Sequence, residues 1–292
     1  MIGTDYRIRA TAAGGLLRTV AVIATDAVER AQQIHRAWPV AAAAMGRLMT
    51  CAAMVSADIK QDGGRMTVEV DGDGPVGRVV AEIQPNGAMR ARIQNPSVDL
   101  PITPEGKLAV GQAVGQHGVF RVLHEDAEEW YQSQVALKTG EIGDDFLHYL
   151  VQSEQIPSAV SLGVLVRSDG TVIGAGGVMV QALPGCPAEI IDSVSQGFEN
   201  LTQISRRLAD GDNLESLIRE VLPEPIFLYP RESLAWHCWC ERTTIAHTLG
   251  SLPRQDLGAL IADGGAEVTC HFCRTAYRFS ASQLRRLRDG VE

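Results

Sequence analysis

Four cysteines stand in two tight pairs, Cys238 with Cys240 and Cys270 with Cys273, with residues 241–269 between them. The first pair is spaced C-x-C and the second C-x-x-C. Thiolates are soft ligands, and four of them suit a tetrahedral zinc site. A single residue holds the Cys238 and Cys240 sulfurs so close that this pair can instead close into a strained ring disulfide. A site that is either metallated or oxidised can work as a switch. His237 and His271 adjoin the ligand positions, but four thiolates already complete a tetrahedron and leave no place for an imidazole. The two remaining cysteines lie elsewhere. Cys51 falls in an apolar stretch and reads as a core thiol. Cys186 sits in the loop Pro184-Gly185-Cys186-Pro187, and a lone loop cysteine implies no catalysis.

Other residues invite a chemical reading and lose it on context. Gly174-Ala175-Gly176-Gly177 is followed by Val178-Met179-Val180, a strand rather than a helix, so a bend or bulge is expected instead of a phosphate cradle. Asp71-Gly72-Asp73-Gly74-Pro75 lacks the later Glu of a calcium loop and reads as a turn. Asp144, Asp145 and Glu154 near His148 read as a solvated helix face. Neither a nucleophile elbow nor a Walker loop is present, so nothing argues for an enzyme.

The elements that must position the cysteines follow from periodicity. Leu16 to Thr25 predicts a first strand, and Asp26 a cap for a helix from Ala27 to about Trp38. Pro39 separates it from a second helix, Val40 to about Ile59, in which Met45, Met49 and Met54 fill core space. Strands are expected over Met66–Val70, Val79–Ile83, Met89–Ile93, Val119–Leu123 and Tyr131–Leu137, with Asn86-Gly87 as a hairpin turn. A helix over Glu141–Gln152 precedes two strands, Ala159–Arg167 and Thr171–Ala182, joined at Asp169-Gly170. The fold class is α+β, with a largely antiparallel sheet and packed helices in a core of residues 1–184.

From residue 185 the pattern changes. Ile191, Val194, Phe198, Leu201, Ile204 and Leu208 recur every three or four residues and predict one amphipathic helix. Leu214, Leu217, Ile218, Val221 and Leu222 form a second stripe, closed by Pro223, Pro225 and Pro230. Residues 185–232 thus form a helical linker whose apolar faces must rest on a neighbour. Residues 233–292 form a small cysteine domain with helices near Ile245 and Leu257. Strands are expected at Val268 and at Tyr277 to Phe279, followed by a last helix opened by a Ser280/Gln283 capping box.

Bulk properties set limits. The chain has 292 residues, 45% hydrophobic and 21% charged, enough for full-size cores. Its net charge of −9 argues against a general binder of nucleic acid or acidic membranes. The region from Ser233 onward is nearly neutral, so the acidity belongs to the rest. Val40 to Val55 is too short and too Ala-rich to span a bilayer. With no targeting segment in the sequence, the expected compartment is the reducing cytosol, where paired cysteines serve metal or redox chemistry.

Zinc binding by a small domain is folding free energy, about 10 kcal/mol or more. Oxidants attack thiolates, and a sulfur taken into a disulfide is lost as a ligand. If the linker helices lean on the cysteine domain, losing the metal exposes their stripes, which then bind other apolar surfaces.

Several motifs together resemble one family. They are Gly72-Asp73-Gly74-Pro75, Thr139-Gly140-Glu141-Ile142 with Tyr149-Leu150, Ser153 to Ser158, and Ala175-Gly176-Gly177 with Gln181 and Pro184, ending in the two cysteine pairs. Over nearly its whole length the chain resembles the redox-regulated heat-shock chaperones known as the 33 kDa chaperonin family. The resemblance implies an ATP-independent holdase of the bacterial cytosol. It implies one zinc ion held by Cys238, Cys240, Cys270 and Cys273 in the reduced, inactive state. Oxidation then forms Cys238–Cys240 and Cys270–Cys273 disulfides, and an active dimer holds unfolding client proteins. Glu241-Arg242-Thr243-Thr244 departs from the family's usual Ser and Arg-Glu-Arg-like run. Two rivals remain: a zinc-ribbon nucleic-acid module, which needs a basic patch, and a thiol–disulfide oxidoreductase, which needs C-x-x-C opening a helix.

Overall fold

Alternating apolar positions build two six-stranded sheets in the first part of the chain. The computed structural model describes residues 5–58, 64–125 and 130–289. One compact unit runs to His237, and a second begins at Cys238.

The first unit contains, in order, β1 (Tyr6–Ala12), β2 (Leu17–Ile23), α1 (Thr25–His35), α2 (Pro39–Val55), β3 (Arg65–Gly72), β4 (Val79–Ile83) and β5 (Ala88–Ile93). It continues with α3 (Val110–Val114), β6 (Gly118–Glu125), β7 (Trp130–Ala136), α4 (Gly143–Gln152), β8 (Ser158–Val166) and β9 (Val172–Ala182). Then come α5 (Ala188–Asn200), α6 (Ile204–Ala209), α7 (Leu214–Val221), β10 (Ile226–Leu228), β11 (Glu232–Ser233) and β12 (Ala235–Trp236). One sheet has the order β10-β1-β2-β9-β8, with β11 also on β1. The other has the order β12-β5-β4-β3-β6-β7. Apart from the parallel β12–β5 pair, all pairings are antiparallel, as the fold class requires.

Helix α2 belongs to the core between these sheets. Met45, Met49, Met54 and Cys51 are completely buried with Val20, Val68 and Ala81, so the methionines fill space as expected. Burial pushes the Cys51 thiol far above its usual range, which makes it inert. The α1/α2 break is as read, but α2 starts one residue earlier, with Pro39 in its first turn, where a missing N–H costs nothing. Ile59, the predicted end of this helix, lies outside the described residues.

Strand β1 was not anticipated, because Arg7 and Arg9 interrupt its apolar pattern. Arg7 is nonetheless buried, giving Nη1 to Ser56 Oγ (2.7 Å) and the Ala53 carbonyl (3.1 Å) and Nε to Glu232 (2.7 Å). The expected cap also changes. Asp26 does not cap α1; Asp5 does, accepting from the Asp26 and Ala27 amides at 3.1 and 2.7 Å. Burial, partly offset by those bonds, raises the Asp5 carboxyl to about 6.

Asp145 is a second correction. It is fully buried, not solvated. Its carboxylate accepts from the amides of Lys138 (2.7 Å), Thr139 (3.1 Å) and Ile142 (3.1 Å) and so shapes the turn into α4. Asp145→Ala leaves three donors without that partner. We expect a loss of about 3 kcal/mol or more, read as a lowered urea midpoint for the first unit. An unchanged midpoint would show that these bonds contribute nothing net.

The linker helices lie within the first unit, on the face of the first sheet opposite α2. Val194, Leu201, Ile204, Leu217 and Ile218 join Ile8, Leu17, Val178 and Val180 in a separate core. Two expectations fail here. The single helix over 191–208 is two helices, broken where Leu201 leaves helical geometry and Gln203 takes φ +51°. The Gly174–Gly177 run itself pairs in regular register with Leu162–Leu165; the bulge falls just before it, where Ile173 is the extra residue of β9 between the Leu165–Gly174 and Val166–Val172 pairs. The glycines serve α6 instead. A Cβ at Gly174 would run into the Ser205 carbonyl, and one at Gly163 would lie 3.1 Å from Ser205 Oγ. A Cβ at Gly176 would come to 2.6 Å from Leu208 Cδ1. Only a bare backbone lets α6 sit this low on β8 and β9. The proline-rich segment beyond α7, which its sequence marks as a closure, supplies three short strands to the sheets.

Candidate metal centre

The second unit is built around the cysteine pairs. It comprises α8 (Arg242–Gly250), α9 (Arg254–Ala262), β13 (Gly265–Thr269), β14 (Ala276–Ser280) and α10 (Ala281–Asp289). The two helices, the hairpin and the last helix stand where periodicity put them. The capping box is present: Ser280 N–H donates to Gln283 Oε1 (2.9 Å) and the Gln283 amide to Ser280 Oγ (3.3 Å). Among the described residues its buried core is Leu249, Leu257, Phe279 and Leu284, with half-buried apolar side chains such as Leu252 and Leu287 against it, a small core for a fold of this length.

Cys238 and Cys240 precede α8, and Cys270 and Cys273 lie in the turn between β13 and β14. That turn is closed by Cys270 N–H to the Thr275 carbonyl (3.0 Å) and Arg274 N–H to the Cys270 carbonyl (2.9 Å). Arg274 takes φ +59° to make it. The C-x-x-C therefore sits in a hairpin and does not open a helix.

All four sulfurs lie within 4.8 Å of one another. Bonds of about 2.3 Å to a central zinc ion place tetrahedral thiolates about 3.8 Å apart. Cys238 Sγ to Cys270 Sγ is 3.8 Å, and Cys240 Sγ to Cys273 Sγ is 3.3 Å. The donor set therefore fits one zinc-sized ion. Among the described residues this metal-competent group contains neither His237 nor His271. Four protein ligands also leave no open coordination position of the kind a catalytic metal needs.

Two residues at the cluster escaped sequence reasoning. Tyr277 was read only as part of the return strand. Its hydroxyl donates to the Cys240 carbonyl (3.0 Å) and lies 3.2 Å from Cys240 Sγ. The Thr275 hydroxyl is 3.2 Å from Cys273 Sγ. Burial and the neighbouring thiols push Cys240 up to about 12, with Tyr277 opposing. Burial also acts to raise Cys273, but Thr275, through hydroxyl and backbone, and the Cys240 and Cys270 thiols bring it down to about 7. Cys240 and Cys273 are thus shifted in opposite directions.

The atypical run 241–244 has a structural use. Arg242 starts α8, its guanidinium stacks 4.3 Å from the Phe279 ring centroid, and Nη2 donates to the Arg278 carbonyl (2.6 Å). The predicted apolar stripe is placed unevenly. Val194, Leu201 and Ile204 are buried, Phe198 and Leu208 are half-buried, and Ile191 is 37% exposed. Cys186 is half-buried beside the same cluster.

Among the described residues no helix is long and apolar enough to cross a membrane. The model of the Hsp33 protein family matches residues 5–280. The chain is 38% identical over 287 residues to a 33 kDa chaperonin of Bacillus subtilis, covering 98% of each chain. It is also 38% identical over 291 residues to a 33 kDa chaperonin of Desulforamulus reducens, covering 99% of this chain and 98% of the other. The crystal structure of the 33 kDa chaperonin (heat shock protein 33 homolog) of Thermotoga maritima aligns with a TM-score of 0.87 at 32% identity, over 98% of both chains. A four-thiol cluster on this fold, together with matches along the full length, makes the chain a member of the Hsp33 chaperone family.

Proposed function

We propose that this protein is a redox-regulated, ATP-independent holdase that acts in the cytosol on unfolding proteins. The carrying observation is a four-thiol cluster in a unit where, among the described residues, four apolar side chains are buried. Cys238, Cys240, Cys270 and Cys273 would hold one zinc ion in the reduced, inactive state, and the ion would supply the cross-link that this small core lacks. The closed ligand set favours a structural role over an enzymatic one.

Peroxide is the oxidant. Two sulfurs lose two electrons to form one S–S bond while one peroxide is reduced to water, so two equivalents consume the cluster. The proposed bonds are Cys238–Cys240 and Cys270–Cys273. The Cys238–Cys270 and Cys240–Cys273 contacts run across the pairs, but every sulfur must move toward about 2.05 Å in either pairing. Short loops favour closure within each pair. With the sulfurs oxidised, the second unit loses its stabiliser and unfolds. The linker, residues 185–232 between the core 1–184 and the cysteine domain 233–292, then loosens. Ile191, Val194, Phe198, Leu201, Ile204 and Leu208 become the client-binding surface, and the same apolar stripe supports a dimer of oxidised chains. Nucleic acid and membranes are not partners in this scheme.

Peroxide should release about one zinc per chain in step with suppression of a client's thermal aggregation, and disulfide mapping should find the two within-pair bonds. Zinc release with unchanged client aggregation contradicts the proposal. The DNA-binding rival would return with a salt-dependent shift of DNA mobility, and the oxidoreductase rival with turnover in a disulfide-reduction assay.

A further inference from the structure

A cavity of about 800 Å³ lies beside the docked α6. Its floor is β8 from Ser161 to Val166, and one wall is the start of α6, Gln203 to Arg206. Val40 and Arg47 of α2 and residues from the 98–108 loop complete it. The size falls among cavities that hold small ligands, about 300–1,000 Å³. The loop is ordered by Thr103 N–H to the Lys107 carbonyl and Gly106 N–H to the Thr103 carbonyl, both 2.8 Å.

The lining divides by chemistry. Val40, Val98, Val164 and Ile204 are buried and give the cavity an apolar wall, beside a polar lining that includes Ser161, Gln203 and Ser205. Arg167, Arg206 and Lys107 also line the cavity and are exposed, in a chain of net charge −9. Among the described residues Arg206 and Arg167 make no ion pair within 4 Å, although Arg167, after the Thr171 hydrogen bonds, helps hold the Asp169 carboxyl below its usual range. Asp99 and Glu105 share the lining, but the Glu105 carboxylate is engaged by the Thr103 hydroxyl. On the wall, Arg47 gives Nη1 to Glu141, 2.9 Å from its carbonyl and 2.5 Å from Oε2, while its buried Nε has no partner.

The geometry points to a binding site for a medium-chain aliphatic carboxylate, with its head at Arg167 and Arg206 and its tail along the apolar wall. An inorganic anion would leave that wall uncovered, and an uncharged lipid would leave the cations unused. A nucleotide would lack a stacking partner, since no aromatic side chain lines the cavity. Because α6 supplies a wall, the site exists only while α6 is docked. Occupancy therefore favours the docked state by mass action: at tenfold Kd the undocked fraction falls about elevenfold. This regulatory effect rests on the chaperone reading; the binding itself does not.

The test is titration of decanoate, below its micelle concentration, into reduced, zinc-loaded, full-length protein. Calorimetry is the primary readout and the fluorescence of Trp38, which adjoins the wall, the second. One saturable site is expected. Decanol, and decanoate with the Arg167→Glu/Arg206→Glu protein, should bind about ten- to hundredfold more weakly, the effect of losing charge-assisted bonds. Both arginines are exposed, so the double variant should keep the parental zinc content and melting temperature. No saturable binding to the parent, or equal affinity after charge reversal, overturns the site. Peroxide-induced client holding without decanoate reports separately on the chaperone reading.

Discussion

Cys270→Ser is expected to leave the chain without its metal and the second unit without a stable fold. Among the described residues the buried core of the unit is small, Leu249, Leu257, Phe279 and Leu284, and metal binding supplies about 10 kcal/mol or more of folding free energy to domains of this kind. Removing one of four thiolates at mutual distances within 4.8 Å leaves an incomplete tetrahedron. Metal content should fall from about one per chain to near zero, and the cooperative transition of residues 238–289 should vanish at 25 °C. Holding of a heat-denatured client should then appear without peroxide. Cys186→Ser, which removes a thiol outside the cluster, should keep full metal content. A metal-free Cys270→Ser protein that retains a cooperative transition for the second unit would refute the dependence.

The second large effect separates the linker from the metal. Gly174→Val should make the protein hold clients while it is still reduced and metal-bound. The new Cβ would run into the Ser205 carbonyl, and backbone cannot move aside as a flexible side chain can. Overpacking of this kind costs about 1–3 kcal/mol, so the ratio of docked to undocked α6 should fall by about five- to hundredfold. Dye binding to apolar surface should rise in parallel, with zinc content unchanged because the cysteines are untouched. Gly174→Ala should give a smaller effect of the same sign. Parental dye binding in Gly174→Val would mean that α6 docking does not mask the surface.

The cysteine chemistry was legible because it is local. C-x-C and C-x-x-C fix two sulfur pairs within a few residues, and the structure brings all four together. The strands of alternating Val and Ile, the methionine-filled α2 and the Ser280/Gln283 box were legible for the same reason. What the sequence concealed depends on partners far along the chain. Arg7 breaks the pattern of β1, but Ser56 and Glu232 satisfy it. Asp5 outcompetes Asp26 as the cap of α1 because β1 delivers its carboxylate to two free amides. Asp145 looks like a surface acid until the chain from Lys138 to Ile142 turns three amides toward it. The glycines of β9 signal a bend in isolation and become a seat for α6 only once α6 is placed there. Tyr277 reaches Cys240, far back along the chain, from strand β14, whereas Thr275 meets Cys273 within the turn itself.

Amide hydrogen exchange on the reduced, zinc-bound protein and on its peroxide-oxidised, metal-free form tests the central claim most directly. We expect protection to be lost across residues 242–289 and in α5 and α6, while α2 and β9 keep theirs. Oxidised, metal-free protein that retained full protection from Arg242 to Asp289 would contradict the account.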